Sequence, residues 1–244
     1  MVAECEGERE GADAGKPRRT GGAVLRRNRS LRRKEDVMSK RAYTVENIEA
    51  IKYECLNWDD MWRNPFGNPA IASSWFILGP SASGKSSFVM QLGRELCRKG
   101  PVLYVSYEEG VRMEFQRRLK YLHMSEVRGR FSVVTDDSYE ELTERLSRSK
   151  SAKFVIIDSF QYSGWTYEQA KALVDKFPKK GFIFVSQEYK GQPLGKAAVR
   201  LRYMADMKVR VAGYKAYCQG RATGDPGSFY PVWDEGIIKT SNNL

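Results

Sequence analysis

The eight residues from Gly79 to Ser86 constrain the fold more strongly than any other part of the chain. They run Gly-Pro-Ser-Ala-Ser-Gly-Lys-Ser and match the pattern Gly-x-x-x-x-Gly-Lys-Ser at every required position. The apolar run Trp75–Leu78 precedes them and suits a strand that is buried on both faces. Residues 87–98 follow with apolar side chains at helical spacing. A chance Gly/Ser turn does not require these flanking elements, so the context favours a phosphate-binding loop.

The residue types in this loop suit a nucleoside triphosphate, namely ATP or a close relative. Gly79 and Gly84 allow the backbone to curl so that successive N–H groups point into one cavity. The helix that begins near Lys85 adds its positive end, and the lysine brings a charge to the β- and γ-phosphates. The Ser86 hydroxyl is a suitable ligand for Mg²⁺. We expect the nucleotide to contact Gly79, Pro80, Ser81, Ala82, Ser83, Gly84, Lys85, Ser86 and Ser87.

A second apolar run, Val102–Ser106, is followed one residue later by an acidic pair, Glu108 and Glu109. In an open α/β sheet the carboxyl ends of the strands face the ligand crevice. One of these glutamates is therefore a candidate for the general base that activates water. The alternative is that both carboxylates cap a helix, because residues 111–123 have a helical pattern.

A further apolar run, Phe154–Ile157, ends in Asp158. Many buried strands end in an aspartate, but after a phosphate-binding loop this pattern predicts a carboxylate that orients Mg²⁺. The residue after Asp158 is Ser159, which has no carboxylate that could act as the general base. The general base for water must then come from elsewhere, and Glu108 is available.

The remaining patterns alternate between strands and helices. We predict further strands at 131–135 and 182–187, further helices at 44–55, 138–149 and 168–177, an irregular segment at 57–74, a hairpin at 207–219 and a last apolar run at 229–233. This order predicts an α/β fold: a mainly parallel twisted sheet with helices on both faces, and antiparallel strands at its C-terminal edge.

Residues 1–37 differ in composition from the rest of the chain. An acidic stretch, Glu4–Gly15, precedes a basic one, Lys16–Lys34, and apolar residues are few. Such a segment cannot offset its ordering entropy by burial, so we predict a disordered basic extension before a folded domain at 38–244. The extension is either an arm that touches nucleic acid, a targeting peptide, which its acidic start disfavours, or a product of translation from an upstream start. Met38 lies just before the first patterned segment.

Charge and cysteine content narrow the partners and the compartment. The formal net charge is +11, which favours an anionic partner such as nucleic acid. No apolar run approaches the roughly 18–20 residues of a membrane helix, so we expect no membrane partner. The cysteines are too widely spaced for a metal clip, and we expect free thiols in a reducing cytoplasm. They are Cys5, Cys55, Cys97 and Cys218.

Four segments together resemble the RecA-like ATPase core, and above all the branch that holds RadA, KaiC and the DnaB replicative helicases. They are Gly79–Ser86, Val102–Glu109, Phe154–Ser159 and Phe184–Gln187. The resemblance spans residues 60–235, and it implies a RecA-like P-loop fold and Mg²⁺-dependent ATP hydrolysis. The flanking modules of RadA and DnaB are not matched, as is common in ATPases borne by phages or mobile elements.

This resemblance assigns roles to residues of the site. Lys85 binds the phosphates, Glu108 activates water, and Gln187 senses the γ-phosphate. The segment that follows, residues 188–198, contacts DNA in that family, and here it carries Lys190 and Lys196.

The resemblance also predicts a cation that acts across a subunit boundary. Arg221 occupies the place of an arginine that reaches the ATP of the neighbouring subunit in that family. The lysine that normally accompanies it is replaced by Gln219. This departure weakens the expectation of a homo-oligomer, whether a hexameric ring or a filament.

Three functions compete at this stage. The first is an ATPase that acts on nucleic acid, single-stranded DNA above all, in recombination, repair or replication. The second is a nucleotide-dependent regulatory or assembly ATPase of the KaiC type that does not act on DNA. The third is a small-molecule kinase, which usually has an arginine-rich lid. Arg117 and Arg118 are the nearest candidates for such a lid, but their helical context predicts a solvated surface instead.

Overall fold

The computed structural model describes residues 42–220 and 224–241. Residues 42–49 form one compact unit and the described residues from Ala50 onward form another. The first contains helix α1, Val45–Glu49, in which the Asn47 N–H donates to Oγ1 of Thr44. The helix predicted at 44–55 is thus confirmed at its start but wrong beyond Glu49. In the second unit, Cys55 instead pairs with Ala70 in an isolated β-bridge.

The second unit contains nine strands and seven α-helices among its described residues. The strands are β1 (Ser74–Gly79), β2 (Val102–Ser106), β3 (Phe131–Val134), β4 (Phe154–Asp158), β5 (Gly181–Tyr189), β6 (Gln192–Pro193), β7 (Met207–Ala212), β8 (Lys215–Cys218) and β9 (Tyr230–Pro231). The helices are α2 (Asp60–Phe66), α3 (Lys85–Leu96), α4 (Met113–Tyr121), α5 (Tyr139–Ser147), α6 (Tyr167–Lys176), α7 (Lys196–Met204) and α8 (Asp234–Ser241).

The strands form one sheet in the order β3-β2-β4-β5-β1-β7-β8-β9, and the short β6 pairs with β5. All neighbours from β3 to β7 are parallel, whereas β7, β8 and β9 are joined by antiparallel pairs. This arrangement confirms the predicted fold class, including the antiparallel C-terminal edge. Because β1 lies between β5 and β7, the phosphate-loop strand is central to the sheet.

Alternating side chains of the buried strands reach two separate cores. On β1, Trp75 and Ile77 belong to the core that includes Phe88 and Leu92 of α3. Phe76 and Leu78 face the other core, which is filled by α5, α6 and α7. Burial on both faces explains why these strands are continuous apolar runs rather than alternating ones.

The segment predicted to be irregular contains a helix. Asp59 caps α2 by accepting a hydrogen bond from the Trp62 N–H, and Pro65 lies inside the helix. Trp62 stacks on Tyr230 with their ring centroids 4.1 Å apart. Aromatic packing therefore stabilises a helix that its Pro- and Asn-rich sequence does not favour.

Strand register brings the polar strand ends to one edge of the sheet. Ser106 pairs with Asp158, which places the end of β2 beside the end of β4. Gly79 pairs with Gln187, which places the phosphate loop beside β5. The functional residues predicted from four separate segments therefore lie around one crevice.

Candidate functional site

The phosphate loop has the backbone geometry that its glycines permit. Gly84 precedes α3 with φ of 92°, a left-handed conformation that favours glycine. A Cβ on Gly84 would lie 2.9 Å from the Tyr214 ring, and one on Gly79 would lie 2.2 Å from the Val211 carbonyl oxygen. The Tyr214 N–H also donates to the Ser83 carbonyl oxygen at 3.2 Å. The β7–β8 hairpin therefore packs directly on the loop.

A cavity of about 360 Å³ opens at this loop. The predicted residues Lys85 and Ser86 line it together with their loop neighbours, and it is also lined by Arg118 and Tyr214, which no sequence motif predicted as part of the site. The Ser83 hydroxyl is buried and has no hydrogen-bond partner within the described chain. A buried hydroxyl without a partner is costly, so a ligand with acceptor oxygens suits this loop.

Asp158 is a buried carboxylate at the end of β4. Its Oδ2 accepts a hydrogen bond from the hydroxyl of the fully buried Tyr104. Burial raises the pKa of Asp158 to about 6; the Tyr104 hydrogen bond opposes this, nearby Glu108 adds to it, and Lys85 opposes it. The same burial and the neighbouring Asp158 raise the pKa of Tyr104 well above its usual value. A buried carboxylate that forms no ion pair with any other described residue fits the requirement of a Mg²⁺ site for an anionic oxygen ligand.

Glu108 is oriented by hydrogen bonds to both of its carboxylate oxygens. The Ser159 hydroxyl donates to Oε2 at 2.7 Å, and Nε2 of Gln187 donates to Oε1 at 2.7 Å. The structure thus brings together the predicted base and the predicted sensor. From the sequence, Ser159 was notable only because it is not an acid. Its contact with Glu108 forms because the ends of β2 and β4 are neighbours in the sheet.

Glu109 has a different partner, because its carboxylate forms a two-point ion pair with Arg118. The Arg118 nitrogens lie 2.6 Å and 3.2 Å from the Glu109 oxygens. The Arg118 side chain is only 21% exposed, whereas Arg117 is exposed. The predicted solvated surface is therefore confirmed for Arg117 and wrong for Arg118. The helix-capping alternative for the two glutamates is also wrong, because α4 begins at Met113 and its cap residue is Arg112.

The segment predicted as a DNA-contacting loop is an ordered hairpin followed by a helix. Strand β5 extends to Tyr189, turns at Lys190 and Gly191, and returns as β6 before α7 begins at Lys196. The carboxylate of Glu188 binds Arg210 through two hydrogen bonds of 2.9 Å and 2.8 Å, which fixes the hairpin to β7. Lys190 and Lys196 are both exposed.

The predicted trans-acting residue Arg221 lies outside the described residues. Gln219, which replaces the accompanying lysine, lies within them, and its side-chain oxygen accepts a hydrogen bond from Arg202 at 3.3 Å.

A second cavity, of about 340 Å³, adjoins the phosphate cavity, and both are lined by Ser87 and Tyr214. Its walls include Tyr121, Gln91 and Trp233. The rings of Tyr214 and Trp233 meet edge to face with centroids 4.9 Å apart. Sequence patterns gave no signal for this cavity, because its walls come from α3, α4, the β7–β8 hairpin and the segment before α8.

Comparison with known proteins places this geometry in a wider context. No model of a known protein family matches the chain. DNA repair protein RadA from three Streptococcus pyogenes strains, of serotypes M6, M18 and M1, is 25% identical over 123 residues. That match covers 50% of this chain and 26% of RadA, so the chain spans about a quarter of the length of these relatives.

The flagellar accessory protein FlaH from Methanocaldococcus jannaschii shares the fold. Its crystal structure superposes with a TM-score of 0.53 at 18% identity, and the match covers 74% of this chain and 92% of FlaH. The two comparisons support the RecA-like architecture that the motifs predict, and neither bears on a phage or mobile-element origin. In the part of the chain that the structure describes, every helix is too short or too polar to cross a membrane.

Proposed function

We propose that this protein is a Mg²⁺-dependent ATPase of RecA-like architecture that acts on nucleic acid. The observation that carries the proposal is the position of Glu108 between Ser159 and Gln187, at the edge of the sheet where Asp158 and the phosphate loop also lie. A general base must be held in one orientation to accept a proton from water efficiently, and two hydrogen bonds provide that orientation.

Each residue of the proposed site has its own role in hydrolysis. The loop N–H groups and Lys85 bind and neutralise the phosphates, as in other phosphate-binding loops. Ser86 and Asp158 would hold Mg²⁺, which neutralises charge on the phosphate oxygens when it is bound. Glu108 takes the proton of the attacking water, and Gln187, which donates a hydrogen bond to Glu108, would sense the γ-phosphate. Arg221 would act on the nucleotide of a neighbouring copy in a homo-oligomer.

The second cavity suits the nucleobase of the same ligand. A base attached to phosphates in the first cavity would enter a space walled by the aromatic rings of Tyr121, Tyr214 and Trp233. Aromatic side chains stack on any base, and the adjoining position of the two cavities matches the extended shape of a nucleotide.

The β5–β6 hairpin supports an action on nucleic acid. Tyr189 is 64% exposed, and Nζ of Lys190 lies 5.4 Å from the centre of its ring. An exposed ring beside a lysine is suited to stacking on an unpaired base and contacting its phosphate. Only one residue separates Tyr189 from Gln187 on the same strand, so the hairpin is directly connected to the Glu108 contact. The partial similarity to a DNA repair protein agrees with this action.

The test is steady-state ATP hydrolysis by the full chain with and without single-stranded DNA. Lys85→Ala is expected to abolish nucleotide binding, and Glu108→Gln is expected to abolish turnover while binding persists. A variant that begins at Met38 shows whether residues 1–37 contribute to any DNA effect. Turnover that ignores DNA at low salt in both forms would instead favour the regulatory or assembly ATPase that does not act on DNA.

A further inference from the structure

Among the described residues, two cationic side chains line the phosphate cavity, and only one of them belongs to the phosphate loop. Lys85 begins α3, while Arg118 reaches the cavity from the second turn of α4. Phosphate-binding loops rely on their backbone and lysine, so a second cation in the cavity calls for its own explanation.

The ion pair of Arg118 with Glu109 ties the arginine to the end of β2, where the proposed base Glu108 also lies. Its partner Glu109 is joined by a peptide bond to Glu108. Burial lowers the pKa of Arg118, but the hydrogen bonds to Glu109 and the nearby Tyr104 and Asp158 raise it, and the net direction is upward. The electrostatic influence of Asp158 on Arg118 agrees with a position beside the site.

We propose that Arg118 contacts the γ-phosphate of the bound nucleotide, and that Glu109 holds the arginine in place until the nucleotide arrives. The inference rests on the proposed nucleotide function and deepens it by naming a further phosphate-binding residue of that site. Arg118 would then supply a positive charge from within the same chain.

The chemistry of the pair makes this exchange feasible. A guanidinium has five N–H donors, and its ion pair with Glu109 occupies only two of them. A γ-phosphate offers three oxygens and more negative charge than one carboxylate, so it competes well for the same fork. The Glu109 side chain is 26% exposed, which lets water solvate its carboxylate when the arginine turns away.

The first experiment measures binding of a non-hydrolysable ATP analogue and of ADP to the full chain by calorimetry. Arg118→Ala is expected to weaken binding of the analogue about 10- to 100-fold, which is the usual contribution of hydrogen bonds to a charged group. The same variant should change ADP binding little. Arg118→Lys should recover only part of the loss, because an ammonium lacks the fork. Arg117→Ala, one position earlier and exposed, is the matched control and should bind both ligands like the wild type.

The second experiment separates a phosphate contact from a structural ion pair. Glu109→Gln releases Arg118, so it should strengthen binding of the analogue, and this gain should vanish in the Arg118→Ala background. An equal gain in both backgrounds would show that Glu109 acts only through its charge, and it would overturn the proposal. Equal losses of analogue and ADP in Arg118→Ala would overturn it as well.

The outcomes also separate this inference from the proposed function. If the wild-type chain binds neither ligand, the nucleotide function is wrong and the role of Arg118 falls with it. If the wild type binds both, Lys85→Ala abolishes binding and Arg118→Ala behaves like Arg117→Ala, only the role of Arg118 is overturned. Urea unfolding of each variant checks folding; should Arg118→Ala fail to fold, an unchanged preference for the analogue over ADP in Arg118→Lys would overturn the proposal.

Discussion

The side-chain amide of Gln187 donates a hydrogen bond of 2.7 Å to Oε1 of Glu108, although 79 residues separate them in sequence. Glu108 follows β2 and Gln187 lies on β5, and β4 is the strand between them in the sheet. Asp158 and Ser159, at the end of β4, are therefore placed between the proposed base and the proposed sensor. The contact links water activation to the strand that continues into the exposed hairpin.

Removing the Ser159 hydroxyl should lower turnover more than it lowers nucleotide affinity. Ser159→Ala deletes the donor to Oε2 of Glu108, so the carboxylate loses one of its two hydrogen bonds. We expect kcat to fall about 10-fold with KM nearly unchanged, since a hydrogen bond to a charged group is worth about 1.5–3 kcal/mol. Steady-state kinetics with ATP measure both constants. Ser132→Ala, an exposed serine on the edge strand β3, is the control, and a Ser159→Ala enzyme with wild-type kcat would contradict the role of Ser159.

The buried carboxylate of Asp158 should make the metal-free protein less stable. Its pKa of about 6 lies above the ordinary 3.8, so ionisation costs folding free energy at neutral pH. Asp158→Asn is expected to raise the free energy of unfolding by roughly 2–3 kcal/mol at pH 8, while nucleotide binding with Mg²⁺ weakens. Because the folded state holds the extra proton between pH 4 and 6, this advantage should shrink as the pH falls through 6.

Urea unfolding of the two proteins at several pH values, with chelator present, measures this difference. The comparison between variant and wild type cancels the titration of other groups. A gain in stability that stays constant from pH 8 to pH 4 would show that Asp158 does not titrate as its burial implies.

Substitution of Gly84 should destabilise the fold more than substitution of another glycine that also has a left-handed backbone conformation. Gly129 has φ of 77° and no described atom within 4 Å of a Cβ built on it, whereas a Cβ on Gly84 meets the Tyr214 ring. Gly129→Ala therefore pays only for the left-handed conformation, about 1 kcal/mol. Gly84→Ala should cost more and should also abolish nucleotide binding. Thermal unfolding measures the loss of stability, and calorimetry measures nucleotide binding. Equal stability losses in the two variants would contradict the close packing of the β7–β8 hairpin on the phosphate loop.

Residues that share a strand end or a motif could be placed from the sequence, and residues that meet only through packing could not. Gly79–Ser86 and Asp158 were predicted from their motifs and Gln187 from the family resemblance, and the parallel arrangement brings the carboxyl ends of their strands to one edge of the sheet. The bond from Ser159 to Glu108 and the ion pair of Arg118 with Glu109 depend on side-chain directions that periodicity does not specify. A helical pattern showed α4 but not which of two adjacent arginines faces the cavity.

The missed helices have a similar physical cause. Helix α7 follows Gly195, whose φ of 95° ends the hairpin, and its first residues fall in the segment 188–198 that the family resemblance predicted to contact DNA. Its burial of Ala198 and Leu201 against the sheet decides the conformation. Tertiary packing thus stabilises both α2, whose local preference for a helix is weak, and α7, whose residues are mostly good helix formers.

The exposed hairpin should bind single-stranded DNA without contributing to nucleotide affinity. Tyr189→Ala removes a ring on which a base can stack, and such rings are worth about 1–3 kcal/mol per base, or roughly 5- to 150-fold in affinity. Lys190→Ala removes one phosphate contact and should also reduce the dependence of affinity on salt by about one counterion. Fluorescence anisotropy with a labelled oligonucleotide across a salt series measures both effects.

Lys99→Ala removes the same charge beyond the C-terminal end of α3, at the opposite edge of the sheet, and should leave the affinity for DNA nearly unchanged. If all three variants lose the same small amount, DNA binding reflects the net charge of the chain, and the hairpin is not its binding surface.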